Sequence, residues 1–211
     1  MSTAPETPFT DPEGTWNRRF ATDDFLFGTS PNDWLRTHAA VWQRGDRVLC
    51  VADGEGRNSV WLAQRGLMVD AFDISEVGVA KARRFAADQG VNVKFAVADC
   101  DAYAWPQGGC DGVAAIFVQF ADPLMRDRLF AAIVRSLKPG ATLVLQGYTP
   151  KQLEHRTGGP PQASHLYTST MLRAAFAELE IVELSEYEAV IEEGRGHNGR
   201  SALIGLVARR R

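Results

Sequence analysis

Asp53 and Glu55 alternate with Gly54 and Gly56 inside "VLCVADGEGRNSVWLAQRG", residues 48–66. The stretch reads as an apolar run of strand length, a two-glycine loop and a short helix closed by Gly66. Such a loop often holds a phosphate against the helix start. The dinucleotide spacing G-x-G-x-x-G, counted from Gly54, gives Gly56 and then Ser59 instead of a third glycine. A pyrophosphate here would also face Asp53 and Glu55, and like charges at short range are costly in a partly buried site. A cationic ligand without phosphate reverses the argument. Gly54 and Gly56 let backbone approach it closely, and Asp53 or Glu55 can face its positive end. A ligand-free strand-to-helix turn would use the same glycines.

S-adenosylmethionine, with an ammonium, a sulfonium and no phosphate, fits that description. Asp73 closes "LMVDAFD", 19 residues after Gly54, where an acid at a strand end can accept both ribose hydroxyls. Asp70 competes for the role from mid-strand. Asp99, in "VADCDAY", can accept from an adenine amino group while the Cys100 N–H donates to a ring nitrogen. Asp101 and Tyr103 are further neighbours, and Asn58, Ile74 and Gln119 complete the cofactor set beside the loop and Asp73.

The elements that must position these groups alternate. Strands "RVLCVA", "LMVDAFDI", "VNVKFAVAD", "CDGVAAIFVQF" and "KPGATLVLQGY" are interleaved with helices such as "SEVGVAKARRFAADQG", capped by Ser75, and "PLMRDRLFAAIVRSL". This pattern predicts a parallel sheet with helices on both faces and its ligand crevice at the carboxyl ends of the strands. The helix "YTSTMLRAAFAEL", the strand "EIVELSEYEAVIEE", the turn "GRGHNG" and the strand "RSALIGLVARR" then predict a terminal antiparallel hairpin. Before the first strand, "SPNDWLRTHAAVWQRG" predicts a helix with Ser30 as cap and Pro31 at its first position. Residues 1–14 read as a flexible N-terminus and 15–211 as one domain, with 15–45 as a cap or lid. In that segment Trp16, Phe20, Phe25 and Phe27 give apolar mass and Gly28 a hinge; a packed cap without gating reads equally well.

The 211 residues are 45% apolar with a formal net charge of −3, which suits one soluble domain and not a general nucleic-acid binder. No apolar run approaches the ~18 residues of a membrane helix. The N-terminus lacks the basic start and apolar core of a signal peptide. Cys50, Cys100 and Cys110 have neither metal nor disulfide spacing, so no metal site is expected and a cytoplasmic setting is.

With these residues in hand, the chain resembles the class I S-adenosylmethionine-dependent methyltransferases over roughly residues 16–208. More narrowly, it is similar to the small bacterial tellurite-resistance and thiopurine-type enzymes. "WNRRF", "FGTSPNDWL", "GEGRNSVWLA", "DAFDIS", "LKPGATLVLQGYTP" and "GHNGRSALIGLVAR" carry the likeness. It implies a Rossmann-like α/β sheet of order 3-2-1-4-5-7-6 with strand 7 antiparallel, and S-adenosyl-L-methionine as cofactor. Two positions depart from the pattern. Cys50 stands where many members have an acid, passing the ammonium to Asp53 or backbone carbonyls, and Gln119 stands where relatives often have histidine. The chain reads "FVQFADP" where methylases of DNA-base amines have an N-P-P-Y-like motif. A small-molecule acceptor is therefore expected, with no nucleic acid and no membrane, and a monomer or homodimer.

Methyl transfer needs the acceptor lone pair in line with the departing sulfur, in a site closed to water. Gln146 and Tyr148 end the fifth strand, and the Pro/Gly-rich loop 149–167 is long enough to be functional. His197, flanked by Arg195 and Arg200, can orient an anion or take a proton, although a hairpin turn needs the same glycines. Gln119, Tyr148 and His197 are the candidate catalytic residues; Arg18, Arg19 and Gln146 join Tyr148 and His197 as candidate acceptor-binding residues. No motif places a strong general base. That suits an acceptor already nucleophilic: a thiolate, a selenium or tellurium oxyanion, or an ionised phenol. An NAD(P)-dependent reductase and a non-catalytic S-adenosylmethionine sensor are the competing classes.

Overall fold

The computed structural model describes residues 11–211. Residues 1–10 of the expected flexible N-terminus lie outside the described residues. Residues 11–14 belong instead to α1 (Pro12–Phe20): Asp11 caps it by accepting from the Gly14 N–H at 2.8 Å, and proline occupies its first turn. The next helix, α2 (Asp33–His38), begins two residues later than expected. Its cap is Asn32, whose side chain accepts from Leu35 N at 3.0 Å and donates to Gln146 and Glu193. Such a cap stabilises a helix by about 1 kcal/mol.

Strands and helices then alternate: β1 (Arg47–Val51), α3 (Arg57–Gln64), β2 (Met68–Asp73), α4 (Glu76–Asp88), β3 (Val93–Val97), β4 (Cys110–Ile116), α5 (Pro123–Ser136) and β5 (Leu137–Tyr148). Two short helices, α6 (Gln152–His155) and α7 (Ser169–Ala175), lead into the hairpin β6 (Leu179–Glu193) and β7 (His197–Arg210). The sheet order is β3-β2-β1-β4-β5-β7-β6, as expected. β1 pairs in parallel with β2 and β4, whereas β7 runs antiparallel to both β5 and β6. This is the Rossmann-like methyltransferase fold. β1, buried on both faces, explains the continuous apolar run that gave the strand away. One core cluster, including Leu49, Phe72, Ile133 and Leu206, lies on one side of the sheet; a second, around Trp34, Leu35, Trp42 and Val144, lies on the other. Among the described residues, no helix is long and apolar enough to cross a membrane.

Two local geometries turn the chain out at the crevice. Ala52, just past β1, has φ 48°, and Phe117, just past β4, has φ 56°. Residues with side chains avoid this region, at a cost of about 1–3 kcal/mol each, and such strain concentrates at functional sites. β4 therefore ends at Ile116, short of the expected "FVQF".

Candidate functional site

Two cavities open side by side at the carboxyl ends of the strands. The first, about 570 Å³, is lined by Cys50, Asp53, Gly54, Arg57, Asn58, Phe72, Asp73, Ile74, Asp99 and Cys100. The second, about 630 Å³, is lined by Arg18, Arg19, Gln119, Tyr148, Pro160 and Gln162. Both share the side chains of Trp16, Phe27, Phe117, Phe120 and His197 as a common wall.

The "DGEG" loop divides its labour in a way its sequence did not reveal. Asp53 lines the first cavity and accepts from the Ser59 hydroxyl. Burial lifts its carboxyl to about 7; the nearby Asp73 charge adds to the rise, while Ser59 and Arg57 oppose it. Glu55, expected as an alternative face for the ligand, points inward. It forms an ion pair with Lys81 of α4, and both side chains are buried. Its other oxygen accepts from Leu26 N at 2.7 Å, and Lys81 donates to the carbonyls of Thr22 and Asp24 at 2.8 Å each. The pair fastens the segment after α1 onto the domain. Gly54, at φ 59°, lies under the Phe20 ring, 3.1 Å from where a Cβ would stand. Gly56, at φ 89°, serves packing instead of ligand approach: a Cβ there would lie 2.8 Å from the Cβ of Ala82.

Asp73 ends β2 as expected. One carboxylate oxygen accepts from Gly54 N and the other from Ser75 N, each at 2.9 Å, leaving lone pairs toward the cavity. Burial raises its carboxyl to about 6 against the pull of those two amides. The competing Asp70 is engaged elsewhere, with Arg47 at 2.6 Å. Asp99 accepts from Asp101 N and Ala102 N through Oδ1, at 2.8 and 2.7 Å, and makes no bond through Oδ2 among the described residues. Burial pushes the Cys100 thiol up to about 12, so only its backbone offers polarity. Asn58 accepts from Asn32 N at 2.9 Å, tying α3 to the start of α2. Cys50 is buried, and desolvation holds its thiol well above the usual range.

The acceptor-side residues separate into those at the cavity and those behind it. Tyr148 lines the second cavity, stacked on Phe117 at 4.6 Å, with its hydroxyl buried and without a hydrogen-bond partner among the described residues. Arg18 and Arg19 stand at the same cavity, Arg19 over the Trp16 ring at 4.5 Å. Gln119 reaches this cavity but not the first, and its amide is committed: Oε1 accepts from Tyr148 N at 2.6 Å and Nε2 donates to Tyr148 O at 2.9 Å. It locks the β4–α5 turn onto β5. Gln146 lines neither cavity; its amide lies between Asn32 Nδ2, at 2.6 Å, and the Tyr187 hydroxyl. The N-terminal aromatics roof both chambers, with Trp16 and Phe20 5.3 Å apart, while Phe25 turns away onto Phe85 of α4.

His197 opens β7 instead of sitting within the turn. Its ring stands 4.5 Å from Phe27 and 4.4 Å from Phe117. Nδ1 lies 3.3 Å from Oε2 of Glu193, which the sequence reading missed. Glu193 also accepts from Arg57 Nη2 and Asn32 Nδ2, both at 2.7 Å. Burial opposes the charge on Glu193, but the bonds from His197 and Arg57 outweigh it and hold the carboxyl at about 2. Burial lowers the His197 pKa below 6.5; Glu193 resists this, and Arg57 and Arg19 add to it.

Residues 48–140 match the family described as "Methyltransferase domain". The order of strands, the antiparallel β7 and the acid-lined crevice agree with that match. Over these residues the chain is similar to that methyltransferase-domain family. The cofactor of this family is S-adenosyl-L-methionine. The chain is 33% identical over 108 residues to a demethylmenaquinone methyltransferase of Thermus thermophilus, covering 49% of this chain and 48% of that protein. The curated relatives it matches are spanned over only 27% to 48% of their own lengths. Among solved structures, one from a study of the conversion of a disulfide bond into a thioacetal group during echinomycin biosynthesis superposes with a TM-score of 0.75 at 18% identity, covering 96% of this chain and 91% of that one. TehB from Haemophilus influenzae superposes with a TM-score of 0.68 at 16% identity, covering 94% and 67%. Likenesses at these identities are likenesses of fold.

Proposed function

We propose that this methyltransferase moves the methyl group of S-adenosylmethionine to a small acceptor held in the second cavity, a thiol or a chalcogen oxyanion being the class its sequence favours. The observation that carries this reading is the pair of chambers sharing one aromatic wall, the first furnished for this cofactor. At about 570 Å³ it is of ligand size, and it presents Asp53, Asp73 and Asp99 against a single cation, Arg57, already paired with Glu193. That charge balance fits a cationic nucleoside and disfavours a dinucleotide.

Asp73 would accept the ribose hydroxyls, Asp99 Oδ2 and the Cys100 N–H would take the adenine, and Asp53 the ammonium. Arg57 keeps Nη1 without a hydrogen-bond partner among the described residues, a match for the carboxylate of the same amino-acid end. When bound, the cofactor supplies an electrophilic methyl on a sulfonium. The chain's own work is to align the acceptor and exclude water, through the wall of Phe27, Phe117 and His197 and the roof of Trp16. Arg18 and Arg19 attract an anionic acceptor to the mouth.

The test is calorimetric binding of S-adenosylmethionine together with S-adenosylhomocysteine release over aliphatic and aromatic thiols, a thiopurine, catechol, tellurite and selenite. Asp73→Ala is expected to weaken cofactor binding by about 10–100-fold, the value of hydrogen bonds to a charged group. A wild-type protein that does not bind the cofactor refutes the proposal; binding with no turnover on any acceptor favours a sensor.

A further inference from the structure

We propose that His197, oriented by Glu193, is the general base of the second chamber, and that the acceptor is a planar aromatic ring carrying a protonated nucleophile, S–H or O–H. This rests on the methyl-transfer reading and selects within it. Glu193 is an acceptor only, so the hydrogen on the facing imidazole nitrogen, Nδ1, is assigned by the network. Nε2 is left as a lone pair, and His197 lines both chambers, where a reacting proton would be released. The charged groups facing the ring are Glu193 from β6, Arg57 from α3 and Arg19 from α1, with the neutral Tyr148 from β5. Burial and the two arginines keep the imidazole uncharged at neutral pH, the form a base requires.

The chamber selects the acceptor's shape. Phe27, Phe117, Phe120, Tyr148 and Pro160 make flat apolar walls. Two buried polar atoms on those walls, Tyr148 Oη and Gln162 Oε1, have no hydrogen-bond partner among the described residues, and buried polar groups in folded proteins are rarely left so. A small aromatic compound with a polar substituent would satisfy them while filling the apolar space. A tellurium or selenium oxyanion needs no base and offers nothing to those walls. In the step inferred, the acceptor heteroatom gives its proton to Nε2 while its electron pair forms the bond to the methyl carbon. The carbon–sulfur pair stays on sulfur and cancels the sulfonium charge, and the imidazolium then returns the proton to water.

The experiment compares catechol, protonated at pH 7, with 4-nitrothiophenol, ionised at pH 7, in wild type, His197→Ala and Glu193→Gln. His197→Ala is expected to lower kcat/KM by about 100-fold or more for catechol, the usual worth of a positioned base, and by under about tenfold for the thiolate. Glu193→Gln removes the charge that holds up the imidazole pKa, so the acid limb of kcat/KM for catechol moves to lower pH. Nitrogen-detected NMR of the free protein is expected to show Nδ1 protonated and Nε2 bare at pH 7. Circular dichroism and urea titration verify that each variant folds, and calorimetry with wild type verifies cofactor binding. Equal losses for both acceptors, or Nε2 protonated, overturn the base. Cofactor binding with transfer to neither aromatic overturns the acceptor class, and absence of cofactor binding overturns the underlying reading instead.

Discussion

Asp53→Asn isolates what the cofactor loop costs the empty protein. The Asp53 carboxyl sits at about 7 in the folded chain against an ordinary 3.8, chiefly through burial. The folded state therefore binds more protons than the unfolded one between these values. This contribution to stability is complete below 3.8 and is lost as pH rises through 7. From pH 5 to 7 the loss is about 1.4 kcal/mol per unit, so about 3 kcal/mol in all. Asparagine still accepts from Ser59 but carries no charge. The stability of the variant relative to wild type should thus be about 3 kcal/mol more favourable at pH 8 than at pH 5, or about 6–12 °C in Tm for a chain of this size. Asp73, lifted to about 6, contributes with the same sign in both proteins and differs between them only through its coupling to Asp53. Urea titrations at both pH values measure it, and calorimetry should find that wild-type cofactor affinity rises more steeply from pH 6 to 8 than the variant's. An Asp53→Asn difference that is the same at pH 5 and pH 8 would refute the reasoning.

Two further substitutions probe the supports of the loop. Gly56→Ala places a Cβ against Ala82 in a left-handed conformation and should cost about 2–4 kcal/mol in chemical denaturation. Glu55→Gln removes the charge facing the buried Lys81 and should cost about 3 kcal/mol, with faster proteolysis across residues 20–26 as the direct sign of a loosened cap.

The order of elements was legible because its signals are local: Ser75 accepting from Gly78 N at the start of α4, apolar runs of strand length, glycine after helices. So were Asp53, Asp73 and Asp99, each at the carboxyl end of a strand where the topology gathers ligands. The Glu193 network was hidden because its partners are distant in sequence: Arg57 lies 136 residues away and Asn32 161. One signal was available. Ile191 is buried on β6, and Glu193 two residues on shares its face, a carboxylate on the inward parity of a strand. Gln146 misled for the opposite reason, since strand position alone could not reveal that Asn32 and Tyr187 already claimed its amide.

The insertion of β7 between β5 and β6 has a consequence for how the molecule is made. The five parallel strands can assemble from residues 47–148, but β5 then presents a bare edge until the hairpin arrives. The hairpin pairs mostly with itself, from Glu193 opposite His197 outward to Leu179 opposite Arg210, so it can form as a unit and dock in one late event. Docking seals the edge and delivers Glu193 and His197 to Arg57 in the same movement. The acids of the first chamber, Asp53, Asp73 and Asp99, thus lie on the part laid down before the hairpin, whereas Glu193 and His197 arrive with it. Exchange of the hairpin would replace Glu193 and His197 while leaving those three acids in place.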